Sequence, residues 1–169
     1  KNSTTKSVSS KGGTQLTPFE IDVANYEENR HFFLSQYFRD RYDASMKTLP
    51  NMTTGITITR VEVWVTNKTG TTSNTRNLIA FTDLGEDRHI SNTDLWSGSG
   101  MLIPANSANN EYSTMVNDHA AARNIDQAST ELESIGGFTG GVDYEKMASA
   151  RLLNSSEYTV NTSLGYIRS

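Results

Sequence analysis

Two blocks in the first half of the chain restrict the fold most. The first is Asn25-Tyr-Glu-Glu-Asn-Arg-His-Phe-Phe-Leu-Ser-Gln-Tyr-Phe-Arg-Asp-Arg-Tyr42. Leu34, Phe38, Tyr42 and Met46 recur at four-residue spacing, and Phe33 and Tyr37 widen the stripe. Arg30, Gln36, Arg39, Asp40 and Asp43 fall opposite it. This is the pattern of an amphipathic helix laid on a core. Asn25 is placed to cap it, with Glu27 and Glu28 in the first turn, where acids favour the helix dipole. Pro50 ends the helical region.

The second block is Arg60-Val-Glu-Val-Trp-Val-Thr-Asn-Lys68, followed by Asn74-Thr-Arg-Asn-Leu-Ile-Ala-Phe-Thr-Asp-Leu-Gly-Glu86. Residues 56–66 are rich in β-branched side chains, with Val61, Val63 and Val65 on one face, and read as a strand. Residues 67–77 form a polar hairpin-like connection around Gly70, and 78–82 a second strand. The simplest pairing joins these two strands antiparallel.

Around these blocks, residues 1–17 are Ser, Thr, Lys and Gly with little to bury, and read as a flexible tail or linker. Residues 18–169 read as one domain, opening with a short strand over 19–23 after Pro18. Residues 83–110 look like a long loop, which is uncommon in a compact domain unless it serves contacts or is mobile. They and 67–77 carry little apolar content and are expected to be the most mobile parts. Residues 112–135 return to helical spacing through Met115, His119, Ala122, Ile125, Leu132 and Ile135, and Gly136-Gly137 stops it. Residues 143–153 read as a third helix with Met147, Ala150 and Leu153 inward. Residues 158–160 and 164–167 read as short strands. The order predicts an α+β fold: a mostly antiparallel sheet with two or three helices packed on one side.

At 169 residues one domain is the default. No apolar run approaches the ~18 residues of a spanning helix, and alternating segments do not repeat as a barrel wall requires. The piece is therefore expected to be soluble. The net charge of -4 and the scattered basic residues argue against a nucleic-acid partner. With no cysteine, disulfides, thiolate zinc sites and thiol catalysis are excluded. The chain begins at Lys1 without a signal peptide, and both ends read as the boundaries of an excised domain.

The side chains that could carry chemistry are sparse. His31, His89 and His119 lie far apart without metal-ligand spacing. Asp83, Glu86, Asp87 and Asp94 are acidic but do not match a calcium loop, and a solvated acidic loop is the better reading. Asp83-Leu-Gly-Glu86 fits a structural turn, with Gly85 at positive φ and Asp83 taking a local backbone hydrogen bond. No G-x-S-x-G, P-loop or H-E-x-x-H is present. No catalytic residue, cofactor site or metal site is therefore assigned, and the chain is expected not to be an enzyme. Aromatics and arginines dominate interface hot spots. Trp96, in a Gly/Ser loop, together with Arg39 and Arg41, is the candidate contact surface. Trp64 and Tyr42 are expected in the core.

The two blocks resemble, in this order, the SprA/Sov family of very large outer-membrane proteins of Bacteroidetes-type bacteria. Asp143-Tyr-Glu-Lys146, Ala150-Arg-Leu-Leu153, Ser156-Glu-Tyr-Thr-Val-Asn161 and Leu164-Gly-Tyr-Ile167 extend the likeness over roughly residues 19–167. The resemblance implies one soluble, non-enzymatic domain of a type IX secretion translocon linked to gliding motility. Such a domain would sit at a barrel mouth, as a plug, or as a docking site for other secretion-system proteins and secreted cargo. It implies a place at the outer membrane, on the periplasmic or the cell-surface side, touching membrane only through the parent barrel. The alternative reading from the residues is a cell-surface carbohydrate-binding or adhesive module, which would need an aromatic platform at Trp96. A weaker one is a hydrolase with two of the loop carboxylates facing across a cleft.

Overall fold

In the computed structural model, residues 29–169 are described. The tail over 1–17, the strand expected at 19–23 and the cap expected at Asn25 lie outside them. The order is β1 (His31–Phe33), α1 (Gln36–Met46), β2 (Trp64–Val65), β3 (Thr75–Phe81), α2 (Glu111–Asn117), a 3-10 turn (Ala120–Arg123), α3 (Ile125–Glu133), β4 (Tyr144–Leu152), β5 (Thr159–Asn161) and β6 (Tyr166–Arg168). The α+β class holds, and the named strands pair antiparallel throughout. The single sheet does not: there are two three-stranded sheets, β1-β6-β5 and β2-β4-β3. The helices divide accordingly. α1 contacts β1, while α3 contacts β4 and, with α2, packs on the 3-10 turn.

The aromatic block is thus only partly helical. Its first part pairs as a strand, His31 with Arg168 and Phe33 with Tyr166, and α1 begins after Ser35. Phe32 and Phe33 suit a strand as readily as a helix, and the partner that decides between them is at the far end of the chain. The helix buries Tyr37, Phe38 and Ser45. The loop that leads into β6 is built around this helix. Gly165 takes φ +67, where a Cβ would overlap the Phe38 ring, and its carbonyl accepts from Leu34 N–H at 2.9 Å.

The expected helix over 143–153 is instead β4, the central strand of the second sheet. Ala, Met, Glu and Lys favour helix. Pairing along both edges, with β2 on one side and β3 on the other, outweighs that preference. β4 also separates the two strands expected to pair with each other, and β2 shortens to Trp64–Val65. A bulge interrupts the ladder where Asn77 stands opposite Ala148 and Ser149, and Asn77 Oδ1 accepts from Ser149 N–H at 2.8 Å.

The main core lies between the second sheet and the helices. Trp96, Ala122, Leu132, Phe138 and Tyr144 form it, with Ile79, Phe81, Met115 and Ile135 packed against them. Phe138 stacks on Tyr144 with ring centres 5.4 Å apart and meets Trp96 edge-on at 5.6 Å. Such pairs contribute about 1 kcal/mol each beyond the buried area.

Candidate docking surface

The residues expected to form a contact surface are not brought together as one. Trp96 is 4% exposed and belongs to the core, so neither a contact nor a carbohydrate platform has a ring to use there. Arg41 is half-buried with its guanidinium 3.8 Å over the Tyr37 ring, and Arg39 is exposed and bonds Gln36 Oε1 at 3.3 Å. Trp64 and Tyr42 are half-buried.

The loop acids organise backbone rather than solvent. Ser35 makes no side-chain cap at the start of α1. Glu86, 49 residues ahead of Tyr37, does that work: Oε2 accepts from Gln36 N–H at 3.0 Å and Oε1 from Tyr37 N–H at 2.6 Å. First-turn amides have no partner within their helix, and a carboxylate there also meets the positive end of the helix dipole. Gly85 adopts φ +65, as the turn reading required, but Asp83 accepts from the amides of Ser91 and Asn92, eight and nine residues on, rather than from within its own turn. Asp87 Oδ1 accepts from Gly100 N–H at 2.6 Å. These three carboxylates are each committed to backbone amides. His89 meets Asp40 at 2.8 Å and His119 meets Glu131 at 3.0 Å. Among the described residues, no group of three or more His, Asp or Glu side chains is placed to hold a metal ion.

Glu111, which opens α2, is 5% exposed. Burial, and then the charges of Asp83 and Asp143, push its pKa up to about 8. Among the described residues its Oε1 has no hydrogen-bond partner. At neutral pH it is therefore a buried neutral acid.

The surface feature best suited to hold something is a groove of about 490 Å³ between β3 and the helices. Arg76, Asn77, Leu78, Ile79 and Phe81 form one wall, and Tyr112, Met115, Val116, His119, Ala122 and Arg123 the other, with Ile125 at one end. Tyr112 and Val116 are 53% and 37% exposed. Sequence reasoning assigned no role to this constellation. Arg76 sits in a stretch that reads as connection, Arg123 in one that reads as helix, and nothing local shows that β3 is the margin of a sheet.

These observations define an α+β domain whose most developed surface feature is an apolar, basic-rimmed groove. Compared with known protein families, residues 1–168 match SprA_N, described as motility related/secretion protein. The chain belongs to that family, in agreement with the SprA/Sov resemblance carried by its sequence blocks. No curated protein matches it. Among the described residues no helix is long and apolar enough to cross a membrane.

Proposed function

We propose that this chain is a non-catalytic docking domain of an outer-membrane protein that acts in type IX secretion and gliding motility. The observation that carries the reading is membership, over residues 1–168, in a motility and secretion family. Two features support a binding role over a chemical one. The loop carboxylates Asp83, Glu86 and Asp87 are spent on backbone amides, and the groove between β3 and the helices is lined mainly by apolar side chains and arginines, which recognise rather than react. The partners of this reading are other secretion-system proteins or secreted cargo, and the parent barrel supplies the membrane attachment.

Deletion of this domain from the full-length parent, with the barrel checked for assembly, tests the proposal. Retention of cargo inside the cell, or loss of a co-purifying partner, is the expected result. Unchanged secretion, gliding and partner recovery would sink it.

A further inference from the structure

We propose that the outer edge of β3 is a strand-addition site for an extended segment of another protein that alternates apolar and acidic residues. The proposal rests on the docking reading above and specifies the chemistry of the partner. The order β2-β4-β3 leaves β3 at the sheet margin, and among the described residues no other strand pairs with its outer side. A strand edge presents a row of N–H and C=O groups that template an added strand.

The groove runs along that edge. Ile79 and Phe81 share the face turned toward the helices, since Phe81 and its cross-strand partner Tyr144 are in or against the core. Leu78 falls on the opposite face by the two-residue period of a strand. Yet Leu78 and Ile79 both line the groove, as do Arg76 and Asn77. A recess touched by consecutive residues follows the strand margin, where an incoming main chain would lie. α2 supplies an apolar far wall through Met115 and Val116, which would take every second side chain of that segment.

The rim gives the sign of the remaining side chains. Arg123 is exposed and, among the described residues, has no ion-pair partner. Arg76 lines the strand side of the groove with its guanidinium reaching across the sheet to 6.0 Å over the Trp64 ring, and among the described residues it has no salt bridge. His119 is already paired with Glu131. Arg123 on the helix side of an apolar groove, with Arg76 lining its strand side, in a chain of net charge -4, favours acidic side chains and opposes self-pairing, which would set like charges against each other. Charge complementarity of this kind fixes register and partner more than it adds raw affinity.

The test uses the 169-residue chain and a short capped peptide of alternating valine and glutamate, followed by fluorescence anisotropy. Saturable binding is expected. Methylating alternate backbone nitrogens of the peptide should abolish it. A valine–lysine peptide should bind about tenfold or more weakly, and the R76E/R123E variant should reverse that preference. Both arginine changes are at the surface, and a far-UV spectrum with an unchanged melting temperature verifies that the variant is folded. Equal binding of the methylated peptide, an unchanged preference in the variant, or no saturable binding would each overturn the proposal. Dimerisation through β3 in sedimentation velocity would assign the edge to a second copy and overturn it too. Secretion lost on domain deletion but normal in the R76E/R123E parent would leave the docking domain standing and refute only this site. Peptide binding with unaffected secretion on deletion would do the reverse.

Discussion

Residues 83–110 and residues 67–77 read alike in the sequence, as polar, glycine-containing connections; the last three of the shorter one belong to β3, and what remains of it, 67–74, is built in the opposite way to the longer one. The longer one is a folded unit. It buries Trp96, Ala108, Asn109 and Glu86, and its turns are closed by Ala105 N–H to Gly85 O at 3.1 Å and Ser99 N–H to Ala108 O at 3.0 Å. Ser97 N–H reaches Asn110 Oδ1 at 2.7 Å. The shorter one is largely exposed, and apart from Leu152 N–H to Asn74 O at 3.0 Å, where it enters β3, its bonds are local, such as Asn67 Nδ2 to Thr71 O at 2.6 Å and the contact between the Thr69 and Thr71 hydroxyls. Polarity alone therefore says little about order. What matters is whether the polar groups find partners distant in sequence.

The largest effect should follow from removing the indole at the centre of the longer connection. Trp96→Ala opens a cavity against Phe138 and should cost about 3–5 kcal/mol. For a domain of this size that lowers the melting temperature by roughly 6–20 °C. If Trp96 were instead a surface contact, as its Gly/Ser neighbours suggest, the melting temperature would hardly move. Thermal unfolding followed by circular dichroism separates the two.

Next comes Glu86, which ties the same connection to α1. Glu86→Ala leaves two first-turn amides without their acceptor and should cost on the order of 3 kcal/mol. Glu86→Gln keeps one acceptor oxygen and should lose distinctly less. Equal losses in the two variants, in denaturant melts, would mean that the side chain only fills space. No helix signature could have revealed this cap, because the acid lies 49 residues from Tyr37, the residue whose amide it holds.

Legibility followed the range of the deciding interaction. The helical character within 112–135 and its stop at Gly136, the short strands near 159 and 166 and the positive φ at Gly85 depend on neighbours and were readable, whereas the break of that stretch into α2, a 3-10 turn and α3, and the partners of Asp83, were not. β1 and β4 were not, because each is a strand only by virtue of partners far along the chain. β4 even carries helix-favouring residues. The groove was hidden for the same reason: its walls are an edge strand and a helix whose adjacency depends on β4 entering between β2 and β3. Family membership was legible because it resides in the residue blocks themselves rather than in how they fold.

A pH titration should sharpen the contrast from a different direction, since Glu111 closes the longer connection. Its folded-state pKa is raised from 4.5 to about 8. Between those values the unfolded chain releases a proton that the folded one retains. Stability from this group therefore falls as pH rises from about 4.5 to about 8, and is level beyond. Glu111→Gln should flatten that slope and melt higher than the parent chain at pH near 8. A difference between the two melting temperatures that does not change with pH would contradict a neutral Glu111.

The smallest effect is expected in the shorter connection, and it is informative because it is small. Gly70 has φ +67 and open space around its Cβ position, and its neighbours Lys68 and Thr69 are exposed. Lengthening the chain there by a few glycine and serine residues adds only loop-closure entropy, which grows slowly with length and amounts to well under ~1 kcal/mol. The same insertion beside Gly98 meets a different situation. A Cβ at Gly98 would overlap the Asp87 carboxylate, which is itself held by Gly100 N–H, so added residues must break that clasp and loosen the seat of Trp96. Amide exchange gives the matching readout. Trp96 N–H, bonded to Asn92 O at 3.0 Å, and Ala108 N–H, bonded to Ala105 O at 2.9 Å, should exchange slowly, while amides around Lys68 and Gly70 exchange fast. Comparable exchange in the two segments, or comparable tolerance to insertion, would show that the bonds across 83–110 do not hold in solution and that the two connections are of one kind after all.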